Sequence, residues 1–148
     1  PLLASPKAMA EAVDLLVEPY RDQGIQQVVG VESRGFIFGS LVAQKLDAGF
    51  VPIRKPGKLP AETVRRDYEL EYGSAAIEMH ADAFDEGTRV LMMDDLLATG
   101  GTMAAACELV TDRGGRIVGI AFLIELDFLH GRDKLSGYDL HTVLHFDG

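Results

Sequence analysis

Two adjacent carboxylates run straight into a glycine turn flanked by threonines, in Met93-Asp94-Asp95-Leu96-Leu97-Ala98-Thr99-Gly100-Gly101-Thr102. If this turn opens a helix, several backbone N–H groups have no intrahelical partner and point outward beside the positive end of the helix dipole. Two threonine hydroxyls add donors, and the paired glycines permit a close backbone approach that a Cβ would block. That is a receptor for a phosphate monoester. Asp94 and Asp95 repel phosphate and need another partner, either ribose hydroxyls, which donate hydrogen bonds, or Mg²⁺, which takes carboxylates together with substrate phosphates. Neither Gly-Lys-Ser/Thr nor G-x-G-x-x-G occurs, so ATPase and dinucleotide-binding readings lose their usual support.

The elements that position this turn follow from hydrophobic pattern. Val90-Leu91-Met92-Met93 is a short apolar run after Glu86-Gly87 and suits a buried parallel strand. Met103 to Asp112 is predicted helical, with apolar positions at Met103, Ala106, Cys107 and Val110, and Gly114-Gly115 stops it. Ser5 caps an earlier helix with Pro6 in its first turn; Met9, Ala12, Val13, Leu16, Val17 and Tyr20 form its apolar face, with Pro19 as a kink point. Val28 to Val31 reads as a strand, Glu32-Ser33-Arg34-Gly35 as a loop, and Phe36 to Leu46 as a helix. Phe50 to Ile53 reads as a strand, and Pro52 marks it as an edge or strand-end segment. Alternation around Tyr68, Leu70, Tyr72, Ile77 and Met79 predicts a hairpin about Gly73-Ser74. Ile117 to Leu126 is expected to be a central strand and Leu140 to Phe146 the last. Repeated strand-loop-helix units predict a parallel α/β sheet with its ligand crevice at the carboxyl ends of the strands.

A chain of 148 residues fits one domain, 1–148, that buries roughly 70% of its unfolded surface. Apolar content of 47% without a membrane-length run, and no secretory leader, lead to the expectation of a soluble cytoplasmic protein with no membrane partner. Net charge of −9 disfavours nucleic acid and anionic membranes, whose phosphates need a basic face. An anionic small molecule must then meet a local exception. Arg54, Lys55, Lys58, Arg65 and Arg66 supply it, five of the fourteen basic residues within thirteen positions, and beside the Asp-Asp turn they read as a second phosphate site. Cys107 lies among alanines and reads as a buried small hydrophobe. The four histidines form no metal set, since His141 and His145 on one strand would stand about 13 Å apart. Ser33 is no hydrolase nucleophile, because Val31 stands where the elbow needs glycine.

The stretch from Met93 to Thr102 resembles the phosphoribosyl-pyrophosphate (PRPP) binding motif of type I phosphoribosyltransferases, and its Leu-Leu-Ala-Thr-Gly-Gly-Thr form resembles their adenine-using branch. The similarity extends through Glu32 to Phe36, Ile53 to Pro60, Tyr68 to Gly73 and Gly131 to Leu135, in the same order. It implies a type I phosphoribosyltransferase-like parallel sheet flanked by helices, with a mobile hairpin loop and a truncated hood, since the family carries a further N-terminal segment that helps cover the base. It also implies a homodimer that moves the phosphoribosyl group of PRPP to adenine, releasing pyrophosphate and forming AMP in purine salvage.

By the same resemblance, Ala98, Thr99, Gly100, Gly101 and Thr102 take the 5-phosphate. Asp94 and Asp95 hold the ribose hydroxyls and, directly or through water, Mg²⁺, and they place negative charge near an oxocarbenium-like ribose carbon. Arg34, Arg54 and Lys58 grip pyrophosphate, and Leu96 packs on the base. Glu71 and Tyr72 belong to the closing loop, with Glu71 the candidate for managing a purine proton. A non-proline cis peptide is expected at Glu32-Ser33, while Gly131, Arg132 and Leu135 read as structural. A related enzyme for another base, or a PRPP-sensing regulator without catalysis, are the competing readings. A sensor can dispense with Arg34, Arg54, Lys58 and Glu71, all of which are present.

Overall fold

The computed structural model describes residues 4–70 and 72–148. Its centre is a five-stranded sheet formed by β1 (Gln27–Val31), β2 (Gly49–Ile53), β5 (Arg89–Leu97), β6 (Arg116–Leu126) and β7 (Leu140–Phe146). The spatial order is β2-β1-β5-β6-β7, and every neighbouring pair is parallel. A separate antiparallel ribbon joins β3 (Thr63–Glu69) to β4 (Ser74–His80). The helices are α1 (Pro6–Val17), α2 (Arg34–Lys45) and α3 (Gly101–Asp112).

Side-chain alternation divides the core into two layers. Val28, Leu91, Met93, Ala121 and Leu123 face α1 and α2, while Val29, Val31, Val90, Met92, Ile120 and Phe122 face α3 and the ribbon. Successive residues of a strand point to opposite faces, so near-continuous apolar runs mark strands covered on both sides. Cys107 lies fully buried in the second layer, as its alanine-rich setting predicts. β2 occupies an edge, where Pro52 can lack an N–H without breaking an interior ladder.

Ser5 caps α1, its Oγ accepting from the Ala8 N–H at 3.3 Å. This helix does not kink at Pro19 and continue; it ends at Val17 and passes into a 3₁₀ turn, Glu18–Tyr20. Proline has no N–H for the next α-helical bond and its ring crowds the preceding turn, so the change of helix type falls where it stands. Tyr20 still closes the buried face.

Three boundaries depart from expectation in ways that matter for function. β5 extends past Met93 to Leu97 because the long β6 keeps supplying ladder partners, pairing Phe122 with Asp94, Ile124 with Leu96 and Glu125 with Leu97. Asp94 and Asp95 therefore lie on a strand rather than in a turn. α2 begins at Arg34, two residues ahead of Phe36, and α3 at Gly101, two ahead of Met103. On the opposite edge of β5, pairing with β1 stops at Gly30 opposite Met93. Beyond that point the chain of β1 turns outward into α2 and the chain of β5 into α3. Strand order reverses between these two strands, which is where an α/β sheet opens a ligand crevice.

Candidate functional site

That crevice has a volume of about 430 Å³ and is lined by Glu32, Ser33, Arg34, Lys55, Asp94, Asp95, Leu96 and the whole of Ala98, Thr99, Gly100, Gly101 and Thr102. One wall is the α2 N-terminus. Gly35 lets it approach β5, since a Cβ there would stand 3.0 Å from Asp94 Oδ1. The peptide bond before it, Glu32-Ser33, is cis, as the resemblance implied.

Across the crevice Arg34 Nε lies 2.9 Å from Asp95 Oδ2. Asp94 is held differently: its Oδ1 accepts the Asp95 backbone N–H at 2.8 Å. Burial, and then its side-chain hydrogen bonding with Asp95, push the Asp94 carboxyl up to about 8. Two carboxyls of unlike environment thus sit side by side, one facing a guanidinium and one largely withdrawn from water.

The floor is the start of α3. Gly100 is its N-cap at φ +87° and offers no side chain to the orphan N–H groups; the first turn contains no acidic residue. A helix start with free donors and no protein carboxylate of its own is an anion site. The glycine is required twice, by the left-handed φ and because a Cβ would stand 2.6 Å from the Gly131 carbonyl oxygen.

The basic run divides. Lys55 lines the crevice, its backbone N–H donating to Glu32. Arg54 packs over the Phe36 ring at 5.7 Å and reaches Glu32 at 3.6 Å. Lys58 is exposed and outside the lining residues. Arg65 and Arg66 do not belong to a second phosphate site. Arg65 pairs with Asp67 at 2.8 Å, and Arg66 pairs with Glu108 and, at 2.7 Å, with Asp112 on α3. Sequence spacing placed them near Arg54, but they lie on a ribbon whose carboxylate partners are brought in by the fold.

The ribbon also reaches the cradle, where the Tyr68 and Thr102 hydroxyls hydrogen-bond at 3.0 Å. Tyr72, in the hairpin turn, is 88% exposed and is not brought to the crevice. Glu71 lies outside the described residues.

The basic run thus does supply a crevice residue in Lys55, although the resemblance gave the pyrophosphate grip to Arg34, Arg54 and Lys58. Outside the crevice lining, sequence carried no signal for the role of Glu125: it is an acidic residue inside an apolar strand, buried, and both its oxygens accept the Arg132 Nε–H at 3.0 and 2.8 Å. His145 joins that cluster instead of standing alone, with Nδ1 2.9 Å from Asp127 and Nε2 2.8 Å from Thr142.

Residues 2–143 match the phosphoribosyl transferase domain. An adenine phosphoribosyltransferase of Koribacter versatilis is 55% identical over 99% of this chain and 80% of its own length. The crystal structure of adenine phosphoribosyltransferase from Rhodothermus marinus superposes with a TM-score of 0.96 at 52% identity, covering 99% of this chain and 84% of that one. The Saccharomyces cerevisiae enzyme, solved with an imino-altritol bisphosphate and adenine, gives 0.91 at 42% identity, covering 97% and 84%. With the crevice at the strand-order reversal and the uncapped α3 start in place, this chain belongs to the phosphoribosyltransferase family, in its adenine phosphoribosyltransferase branch.

Proposed function

We infer that this chain transfers the phosphoribosyl group of PRPP to adenine, giving AMP and pyrophosphate in purine salvage. The observation that carries the reading is the continuity of β5 into α3, which sets two carboxylates and a side-chain-free helix start along one wall of a single crevice. PRPP has a 5-phosphate, two vicinal hydroxyls and a pyrophosphate, and each has a chemically matched counterpart here.

Ala98 to Thr102 hold the 5-phosphate through backbone N–H groups and hydroxyls. Asp94 and Asp95 accept hydrogen bonds from the ribose hydroxyls and face the positive charge that develops on the ribose carbon as its bond to pyrophosphate lengthens. Arg34 turns from Asp95 to the leaving group, assisted by Arg54 and Lys58 from the adjoining segment. Leu96 gives the purine an apolar contact. As the family resemblance implies, Glu71 and Tyr72 close over the substrates, with Glu71 handling the purine proton.

Two neighbouring carboxyls at a strand end are hard oxygen donors, and burial holds Asp94 toward its neutral form, which a bound cation would shift back to the carboxylate. They fit Mg²⁺, directly or through water. When bound, Mg²⁺ supplies charge neutralisation for pyrophosphate. The family resemblance further implies a cytoplasmic homodimer as the working unit. Among the described residues no helix is long and apolar enough to cross a membrane.

The test is production of AMP and pyrophosphate from PRPP, Mg²⁺ and adenine, with guanine, hypoxanthine and xanthine in parallel. Adenine-only turnover is expected. Turnover with another base would move the chain to a related transferase, and PRPP binding without turnover would make it a sensor. Glu71→Gln is expected to lower kcat and alter the pH profile; an unchanged profile removes Glu71 from proton transfer.

A further inference from the structure

The turn Gly131–Leu135 is fixed against the phosphate cradle from three sides. Gly131 is buried so tightly that a Cβ would stand 2.5 Å from the Ala98 carbonyl oxygen and 2.7 Å from Leu97 Cδ1. Arg132 anchors the turn to buried Glu125, whose strand neighbour across the ladder is Leu97. Leu135 is 1% exposed in the α3 layer of the core.

This rigid seat holds Lys134 with its Nζ 3.8 Å from the point where a Cβ of Gly101 would lie, at the first residue of α3. A cation beside a helix N-terminus is unfavourable, because both present positive charge. Among the described residues no carboxylate pairs with Lys134, and the first turn of α3 contains no acidic residue. Lys134 stands on the outer side of the helix start, outside the residues that line the crevice, so the ammonium and the α3 N-terminus add to one positive potential with no acidic residue in the first turn, a charge that a dianionic phosphate in the cradle offsets.

We propose that Lys134 strengthens binding of the 5-phosphate of PRPP, contributing charge to the Ala98 to Thr102 cradle from the outer side of the α3 N-terminus. This rests on reading that loop as the 5-phosphate site. It adds a residue outside the contiguous motif, delivered by a turn forty residues beyond Asp94 in the chain (residue 134 against 94).

Titration calorimetry of ribose 5-phosphate and, separately, of Mg²⁺-pyrophosphate into wild type, Lys134→Gln and Lys134→Arg tests it. Ribose 5-phosphate carries the phosphate in question and pyrophosphate does not. Lys134→Gln is expected to raise the Kd for ribose 5-phosphate about three- to tenfold, Lys134→Arg to restore it, and pyrophosphate affinity to stay at the wild-type value. Steady-state assays should show the same split, a higher KM for PRPP with kcat and the KM for adenine unchanged. Equal weakening of both ligands, or unaltered ribose 5-phosphate affinity in Lys134→Gln, overturns the proposal while leaving the cradle reading intact. Failure of wild type to bind ribose 5-phosphate at all overturns the cradle reading and Lys134 with it.

Discussion

Arg34 and Asp95 approach within 2.9 Å across the crevice, joining the first turn of α2 to the carboxyl end of β5. A guanidinium held there is within reach of an incoming anion yet neutralised until one arrives. Arg34→Ala is expected to lower kcat/KM for PRPP by about a hundredfold, the scale of losing one preorganised charge at a developing anion. Arg34→Lys should recover only part, because an ammonium lacks the planar fork that matches phosphate oxygens. Asp94→Asn and Asp95→Asn should each lose activity as well. Full activity in both would end the assignment of the carboxylates to the ribose.

Gly100 and Gly137 permit a controlled comparison. Both have positive φ, +87° and +91°, but a Cβ at Gly100 strikes the Gly131 carbonyl whereas at Gly137 it meets open space. Gly137→Ala should cost about 1 kcal/mol from backbone strain alone. Gly100→Ala adds displacement of the cradle and should cost more, with a rise in the KM for PRPP that Gly137→Ala lacks. Urea midpoints at constant slope, alongside the two KM values, make the measurement.

Arg66 clamps the β3–β4 ribbon to Glu108 and Asp112, one helical turn apart on α3. The pairs are partly exposed, so Arg66→Ala should change global stability by less than about 1 kcal/mol. The local effect should be larger. Hydrogen exchange is expected to quicken across β3 and β4 and to stay unchanged in β1, β5 and β6, since among the described residues the Arg54–Glu78 bridge is the ribbon's backbone link toward the sheet. Uniform acceleration would show that the ribbon is integral to the core.

His145 and Asp127 set an expected pH dependence. The hydrogen bond that His145 Nδ1–H donates to the Asp127 carboxylate holds the His145 pKa above its ordinary 6.5, and the same bond holds Asp127 below its ordinary 3.8. The histidine's contribution is complete below its unfolded value and disappears as pH rises through the folded one. The carboxylate's is present above its unfolded value and disappears as pH falls through its folded one. Stability conferred by the pair is therefore greatest between the two and fades toward alkaline and strongly acidic pH. Comparing wild type with His145→Gln by thermal melts across this range checks it, and added salt should narrow the difference.

Much of the site was legible because its parts are contiguous. Asp94 to Thr102 carry their chemistry in order, and the flanking apolar run and helix say how they are mounted. Cys107 and the edge position of Pro52 followed from composition and from proline's missing donor. The extension of β5 to Leu97 was not legible, since Asp94-Asp95 reads as a turn until β6 is seen to pair alongside. Arg65 and Arg66 were misread for a related reason: their carboxylates at 67, 108 and 112 are chosen by tertiary packing, and local charge density carries no record of that choice. Arg132 and Glu125 likewise meet only because a turn folds back on the end of β6.

The crevice walls come from opposite halves of the chain and meet only through the register that sets Gln27 against Val90 and Gly30 against Met93. Closing so long a loop delays this contact in folding relative to the local strand-helix units. A molecule gripped by both walls then binds only the chain in which that register is complete, so it must raise the melting temperature of the entire sheet. At a hundredfold excess over Kd the stabilisation amounts to about 2.7 kcal/mol. Substrate occupancy and resistance to proteolysis become two readings of one equilibrium, and a cell short of PRPP would hold this protein closer to its unfolding threshold.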